Sequence, residues 1–272
     1  MYNFQVGDIV ARKSYGNDIH FIITNIFDRE NNNPLYILRG LLYRIEADSE
    51  GSDLVKQNPM AARLYTKNHI AGIRRKVYVR NSSRGVYKFD KRWEKPGKVL
   101  HIDSSREFLE VCTKHYRQAK IDCTGYLANE DEQPSVIKGL LARNKPDILV
   151  ITGHDGIKKN NTKPESIDNY RNSKYFVQSV KEARKYEPDF DKLCIFAGAC
   201  QSYYEAIMAA GSNFASSPGR ILINAIDPAI VSEKIALTDT KTSVTPKEIS
   251  EITISGAKGI GGINTKGHLI RK

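Results

Sequence analysis

The chain has 272 residues, with 42 Lys and Arg against 31 Asp and Glu, and 40% of its residues are hydrophobic. This length can bury a substantial core in one large domain, or in a small domain joined to a larger one, without disulfides. The composition excludes a chain that is disordered throughout. No stretch approaches the roughly 18 apolar residues that span a bilayer, and MYNFQVGDIVARK lacks the pattern of a secretory signal. We therefore expect neither secretion nor membrane insertion.

The short runs at the start of the chain predict a β-rich domain. Apolar, β-prone runs at residues 4–10, 20–26 and 35–40 are separated by Gly, Asn and Pro. Such runs with turn residues between them are typical of an antiparallel meander. We predict a small SH3-like barrel over residues 1–73.

The net charge of +11 is concentrated in a basic connector, predicted over residues 74–97. Residues 74–98 contain ten Lys and Arg against two acids, interleaved with four aromatic residues. Basic and aromatic interleaving suits single-stranded nucleic acid or another polyanion. The simpler interpretation, which we favour, is a solvated linker with two short strands.

From residue 98 onward strands and helices alternate, which predicts an α/β domain over residues 98–272. The predicted strands are residues 99–102, 121–127, 147–153, 192–199 and 221–225, and the predicted helices are residues 104–120, 133–143, 170–186, 202–210 and 228–237. This alternation is typical of a three-layer domain with a mainly parallel sheet.

His154 and Cys200 follow two successive predicted core strands, in the motifs ITGHDG and FAGACQS. Because reactive residues collect beyond the carboxyl ends of parallel strands, the two side chains should face each other if the strands are neighbours. A thiol is nucleophilic as the thiolate, and imidazole can accept its proton near neutral pH. The pair therefore predicts a nucleophilic Cys200 with His154 as general base, acting on a peptide amide or an ester.

Backbone N–H groups near this pair are expected to stabilise the oxyanion of an acyl-transfer intermediate. Cys200, at the predicted start of a helix, supplies one N–H, and Asp155 or Gly156 supplies the other. No metal and no cofactor are expected, because the spacing of the remaining cysteines does not suit a zinc site. Residues 256–262, GAKGIGG, lack the strand and helix of a phosphate loop and are expected to be a flexible or strand-edge segment.

The motifs around the pair resemble known cysteine peptidases. A His before a Gly-containing turn, with Ala-Cys about 50 residues later, is similar to the caspase–legumain–gingipain clan. GHDG, YRNSKYFV, AGACQSYYEAI and NFASSPGR, in this order, resemble the YabG family of sporulation-specific proteases from spore-forming Firmicutes. The resemblance runs over most of the chain, from VGDIVARKSYG to the EKIA segment.

The resemblance implies a caspase-like α/β fold in which Cys200 is the nucleophile and His154 the general base. It also implies processing of spore coat and cortex-associated proteins, with cutting after basic residues. The expected location is the mother-cell cytoplasm or the forming spore coat, and the expected partners are protein substrates. Self-processing is a corollary, because the connector offers several Arg residues.

Two positions depart from the clan. Asp155 stands between His154 and Gly156, where the clan usually has His-Gly. Gly198 stands where several Arg-specific members have an acidic residue, so an acidic specificity pocket must come from elsewhere. The candidates for substrate binding are Asp155, Ser216, Ser217, Asp227 and Glu233.

Two other functions stay open from the sequence. A binding or assembly protein would dock its barrel and connector on nucleic acid or an anionic coat layer, with steep salt dependence. A different Cys-dependent acyl transfer, such as amidase chemistry, would use the same pair. Nucleic acid is the less expected partner, and the sequence does not indicate an oligomeric state.

Overall fold

The computed structural model describes residues 4–29, 33–83, 93–158 and 165–271. The strands are β1 (Ile9–Arg12), β2 (Phe21–Phe27), β3 (Leu35–Gly40), β4 (Glu46–Glu50), β5 (Leu54–Lys56), β6 (Glu94–Lys95), β7 (Val99–Asp103), β8 (Cys123–Leu127), β9 (Ile148–Ile151), β10 (Cys194–Ala197), β11 (Phe214–Ser216), β12 (Ser243–Val244), β13 (Ile260–Gly262), β14 (Thr265–Lys266) and β15 (Ile270–Arg271). The helices are α1 (Pro59–Ser83), α2 (Arg106–Gln118), α3 (Gln133–Asn144), α4 (Ser173–Tyr186), α5 (Tyr204–Ala209), α6 (Asp227–Ala236), α7 (Pro246–Ile252) and α8 (Gly256–Gly259).

The first five strands form an antiparallel sheet in the order β4-β3-β2-β1-β5. Alternate residues of the strands turn inward, so that Phe21 and Ile23 of β2 pack beside Tyr36 and Leu38 of β3. β5 returns beside β1, with Val10 opposite Lys56. The expectation of a β-rich antiparallel N-terminal part is therefore confirmed.

A long helix, α1, follows this sheet where the sequence indicated none. The Asn58 side chain accepts from the Ala61 N–H at 3.0 Å, and Pro59 takes the first helical position. The expectation of a linker with strands is wrong for residues 74–83, which lie in α1, and residues 84–92 lie outside the described residues. β6, just beyond them, pairs with β15.

Beyond the connector lies a six-stranded sheet in the order β13-β11-β10-β9-β7-β8. Five strands are parallel, and β13 runs antiparallel at one edge. α2 and α6 contribute to the core on one face, and α3 and α4 contribute to the core on the other. Residues of β9 alternate between the two cores, with Val150 in one and Leu149 in the other. The expected three layers around a mainly parallel sheet are present.

One predicted strand is wrong. The fifth parallel strand is β11, where Ala215 pairs with Ala197 of β10, and not residues 221–225. Residues 221–225 are apolar for another reason, since Ile223 is buried in the core and Asn224 forms an isolated bridge with Tyr43. The expectation of a flexible or strand-edge segment over residues 256–262 agrees with β13 at residues 260–262, whereas residues 256–259 form α8.

The two sheets meet at the loop between β3 and β4, residues 40–45, which we call the 40–45 loop. Ile45 forms a parallel bridge with Asp155, just beyond β9, and Tyr43 bridges to Asn224. The loop thus lies across the carboxyl ends of the parallel strands. Among the described residues, no helix combines the length and apolar character needed to cross a membrane.

Candidate active site

β9 and β10 are parallel neighbours, and this brings His154 and Cys200 to the same edge of the sheet. Ile151 is opposite Ala197 in the register, so each of the two residues follows its strand by three positions. Sequential parallel strands usually pair, and the adjacency on which the prediction depended is confirmed. Side chains at this edge are placed where α/β sheets hold their reactive groups.

Cys200 is fully buried in a turn between β10 and α5. Helix α5 begins at Tyr204, so Cys200 precedes the helix by four residues and does not start it. The thiol accepts a hydrogen bond from the Ile223 N–H at 3.0 Å. Burial raises the pKa of Cys200 to about 12, although the Ile223 N–H acts in the opposite direction. The sulfur is therefore a neutral thiol with the loop in place.

His154 is 3% exposed, and its Nδ1 lies 3.4 Å from the Ser104 hydroxyl. Its ring packs on Phe108, with ring centroids 5.4 Å apart. Burial lowers the pKa of His154 to about 3, and the nearby Arg39 charge lowers it further. The imidazole is therefore neutral, which is the form that accepts a proton.

Glu130 supports His154, and sequence reasoning did not identify it. Its Oε1 accepts from the His154 N–H at 2.7 Å and from the Ser104 hydroxyl at 2.5 Å, and lies 3.9 Å from Nδ1 of His154. Its Oε2 accepts from Arg39 at 2.9 Å. A third group that orients the base is part of the usual logic of such sites. The sequence feature that could have identified Glu130 is its position three residues after β8, at the same edge of the sheet as His154 and Cys200.

The 40–45 loop lies between the two candidate catalytic side chains. The Gly40 backbone is close enough to the His154 ring to act toward a higher pKa of that ring, and the Arg44 backbone is close enough to the Cys200 thiol to act toward a lower pKa of that thiol. In the part of the chain that the structure describes, no hydrogen bond joins the thiol directly to the imidazole. The loop therefore occupies the space where the two groups would meet a substrate.

Two backbone amides converge on one carbonyl oxygen at this edge. The Cys200 N–H donates to the Arg44 carbonyl at 3.2 Å, and the Asp155 N–H donates to the same oxygen at 3.1 Å. The Gly156 N–H instead donates to the Asp155 carboxylate at 2.8 Å. Asp155 and Gly156 were the two alternatives for the second oxyanion donor. Of these, the Asp155 N–H is the one that donates to the same carbonyl oxygen as the Cys200 N–H.

The acids suggested for a specificity pocket are engaged elsewhere. The Asp155 carboxylate accepts from the hydroxyls of Ser173 and Ser202. Asp227 accepts from two backbone N–H groups before α8, and Glu233 is paired with His115 inside the core. Each carboxylate ties parts of the fold together.

Gly198, where several clan members have an acid, has a φ of +105°. This left-handed conformation favours glycine, so an acidic side chain would be strained there. The positive φ of Gly198 therefore accounts for the absence of an acidic residue at this position.

Ser216 and Ser217, proposed to contact an extended substrate, lie at the end of β11. Ser216 pairs with Ile260 of β13. The Ser217 hydroxyl accepts from the Gln201 N–H at 3.1 Å and donates to the Ile221 carbonyl at 2.8 Å. Ser217 thus fixes the turn that carries Cys200, and both residues stay predictions as substrate contacts.

The other three cysteines are not hydrogen-bonded to His154 or Cys200 among the described residues, and the Cys112 thiol lies 3.8 Å from Nη2 of Arg44. Cys194 is buried in β10, Cys123 is half-buried in β8, and Cys112 is buried in α2. Over residues 4–29, 33–83, 93–158 and 165–271, no group of three or more His, Cys, Asp or Glu side chains is placed to hold a metal ion. A cavity of about 290 Å³ adjoins the site beside Ile45, and Gln201 is among its lining residues.

Acyl-transfer enzymes use a thiol, a neutral imidazole and backbone amides directed at one carbonyl oxygen, and all of these are present here. Comparisons with known proteins identify the class of protein as peptidase. The model of the family described as YabG peptidase U57 matches residues 5–272. The chain is 38% identical over 279 residues to the sporulation-specific protease YabG of Bacillus subtilis (strain 168), covering 98% of this chain and 96% of that protein. No solved structure matches. The chain belongs to the YabG peptidase family, as the motifs predicted.

Proposed function

We propose that this peptidase is a cysteine endopeptidase with Cys200 as nucleophile and His154 as general base. The observation that carries the proposal is the convergence of the Cys200 and Asp155 N–H groups on one peptide carbonyl oxygen, 3.2 and 3.1 Å away. Donors at this distance from the oxygen of a tetrahedral intermediate supply the largest single contribution in many acyl-transfer enzymes.

The reaction begins when the thiol gives its proton to the His154 imidazole and the sulfur attacks the substrate carbonyl carbon. The resulting oxyanion accepts from the two N–H groups, and Glu130 keeps the ring in place. Collapse of the intermediate breaks the C–N bond, and His154 returns the proton to the leaving amine. Water then attacks the thioester, with His154 accepting its proton, and releases a carboxylic acid and the free thiol.

The proposed substrates are proteins of the spore coat and cortex, cut after basic residues, with processing of the chain itself. Support comes from the sporulation-specific protease of Bacillus subtilis, to which the chain is similar along its whole length. We place the reaction in the mother cell or at the forming spore coat. The family is one of peptidases, which favours peptide hydrolysis over a binding role or amidase chemistry.

We further propose a caspase-like domain preceded by an SH3-like barrel. The His and Cys at the ends of adjacent parallel strands, with helices on both faces, support the first assignment. The order β4-β3-β2-β1-β5, with a 3₁₀ turn at Gly51–Asp53 before β5, supports the second.

The test compares three variants on a peptide with one internal arginine. Cys200→Ala is expected to abolish cleavage, and His154→Ala to lower kcat/KM by about 10²- to 10⁴-fold, the usual contribution of a general base. Cys123→Ala, which removes a thiol remote from the site, should keep wild-type kcat/KM. Cleavage by Cys200→Ala at the wild-type rate would refute the assignment.

A further inference from the structure

Arg44, at the tip of the 40–45 loop, has its whole side chain buried in the α/β domain. Its Nη1 lies 2.7 Å from Asp103 Oδ2, and its Nη2 donates to the Ala225 carbonyl at 3.0 Å. Its guanidinium carbon lies 4.9 Å from the centre of the Phe108 ring. A buried guanidinium is costly unless it is paired and hydrogen-bonded. These three partners, with the Cys112 thiol 3.8 Å from Nη2, form a pocket for this group.

The backbone of Arg44 has the position that we expect for the substrate residue on the N-terminal side of the cleaved bond. Its carbonyl oxygen accepts from both candidate oxyanion donors, the N–H of Cys200 at 3.2 Å and the N–H of Asp155 at 3.1 Å. Tyr43, on one side, bridges antiparallel to Asn224, and Ile45, on the other, bridges to Asp155. A segment held by strand-like bridges on both sides of one residue, with that residue's side chain in a pocket, resembles a common mode of peptide recognition.

We propose that the pocket around Asp103 is the arginine specificity pocket, and that the 40–45 loop fills it as a built-in substrate mimic that competes with substrate for the site. The inference rests on the proposed cysteine peptidase function. In this proposal Asp103 is a specificity residue that the sequence did not indicate, and the 40–45 loop is a competitor of substrate within the same chain.

Asp103 is fixed in place before any arginine arrives. Its Oδ1 accepts from the Ser105 N–H at 2.9 Å, and its Oδ2 accepts from the Thr152 hydroxyl at 3.0 Å. Burial alone would raise the pKa of Asp103, but the Arg44 charge holds that pKa well below its usual range. The guanidinium fork binds Asp103 and the Ala225 carbonyl at once, and a lysine ammonium lacks this geometry, so the pocket favours Arg over Lys.

The loop is held on both sides of the bond after Arg44. The Gly40 N–H donates to the Ile45 carbonyl at 2.9 Å, and Arg39 pairs with Glu46 across the β3–β4 ladder. If the Arg44–Ile45 bond were cut, the new Ile45 amine would stay beside the acyl-enzyme and re-form the amide. The loop is therefore an occupant that competes with substrate, and not a segment that is released.

The pocket is tested with two peptides that differ only in arginine or citrulline before the cut bond. Citrulline has nearly the same shape without the charge. Wild type should prefer arginine in kcat/KM by about 10²- to 10³-fold, the range expected for an uncompensated buried charge. Asp103→Asn should reduce this preference to below about tenfold. An unchanged preference in Asp103→Asn would overturn the pocket assignment.

The loop is tested with Arg44→Ala, and with Arg29→Ala as the matched control. Arg29 lies in the same N-terminal part, with its side chain 49% exposed and 3.6 Å from Glu50. Arg44→Ala should lower KM for the arginine peptide and speed alkylation of Cys200 by iodoacetamide at least about tenfold, because a competitor is removed. Arg29→Ala should match wild type, and equal alkylation rates in wild type and a folded Arg44→Ala would refute the mimic.

A measurement on unmodified protein covers the case in which Arg44→Ala does not fold. Amide hydrogen exchange of residues 41–46 is followed with a peptide aldehyde ending in arginine, and with one ending in glutamate. The arginine aldehyde should speed exchange of residues 41–46, and the glutamate aldehyde should not. Unchanged exchange despite inhibition by the arginine aldehyde would refute displacement of the loop, while cleavage that persists in Cys200→Ala would refute the proposed function itself.

Discussion

The buried pair of Asp103 and Arg44 shows how one side chain can serve both stability and specificity. Both are 0% exposed, and the Asp103 carboxylate has donors on both oxygens. Breaking such a pair by removing one partner costs more than the pair itself contributes, because a buried charge is left alone. The double variant Arg44→Met/Asp103→Asn, which removes both charges, is therefore the appropriate reference for its energetics.

The pair predicts a specific loss of stability in acid. The folded-state pKa of Asp103 is depressed below the ordinary value of 3.8, so its contribution is complete above that value and is lost as the pH falls. Below about pH 4, the unfolding free energy of wild type should fall by up to about 1.4 kcal/mol per pH unit more than that of the double variant. Urea unfolding at several acidic pH values measures this difference, and parallel curves would contradict it.

Some residues of the candidate site could be predicted from the sequence, and others could not. Cys200 and His154 were predicted because each follows an apolar strand within a recognisable motif. Glu130 and Asp103 lie at the same sheet edge, but their roles depend on which strands neighbour each other and on a loop from the other sheet. Arg44 was out of reach, because it is 59 residues from Asp103 and 181 residues from Ala225 in sequence.

At the scale of elements, α2 connects the site to the sheet. It carries Phe108, which packs on the His154 ring, and it begins three residues after Asp103, the last residue of β7. The Ser105 hydroxyl caps the helix by accepting from the Phe108 N–H at 3.3 Å. The start of this helix therefore sets the position of one wall of the pocket.

Loss of this cap should be measurable. Ser105→Ala is expected to lower the unfolding free energy by about 1 kcal/mol, because a helix N–H loses its partner. Ser105→Thr, which keeps a hydroxyl, should stay close to wild type. Urea unfolding with an unchanged m-value checks both variants. Equal stabilities of the Ala and Thr variants would show that the hydroxyl does not act as a cap.

The alternation of elements was predictable in the α/β part and less so elsewhere. β7 to β10 and α2 to α4 agree with the prediction because their apolar runs are long and their helices have one buried face. β11 has only three residues and was missed in favour of residues 221–225. α1 buries few residues, among them Ala62, Ile70 and Val77, too sparse a pattern to indicate a helix of 25 residues.

At the scale of the whole molecule, α1 limits where the chain is open to self-processing. Arg74, Arg75 and Arg80 lie inside this helix, whose hydrogen bonds must open before a substrate conformation is reached. Arg84 and Arg92 of the connector lie beyond it, outside the described residues. Mass spectrometry of purified wild type should reveal fragments ending at Arg84 or Arg92, whereas Cys200→Ala should stay intact. An intact wild-type chain under conditions that cleave a peptide would contradict self-processing at these positions.

The two sheets depend on each other at the site. The parallel sheet supplies the proposed catalytic pair and the proposed pocket, and the antiparallel sheet supplies the 40–45 loop that lies over them. The domain boundaries expected at residues 73 and 97 stay a prediction, and α1 runs across the first of them. The family and the mainly parallel sheet were within reach of the sequence, but the contact between the sheets was not, since the 40–45 loop has no motif of its own.

The 40–45 loop belongs to the same chain as the site. In the proposed competition with substrate, the effective concentration of the loop at the site therefore does not depend on the amount of enzyme. Short tethers give effective concentrations in the millimolar range. A substrate with a single exposed arginine then meets a raised apparent KM with an unchanged kcat. Substrates that present several arginines, or that stand packed at high density in an assembly, are the ones able to displace the loop. The enzyme would thus respond to the crowding of its targets, and dilute proteins with an accessible arginine would be spared.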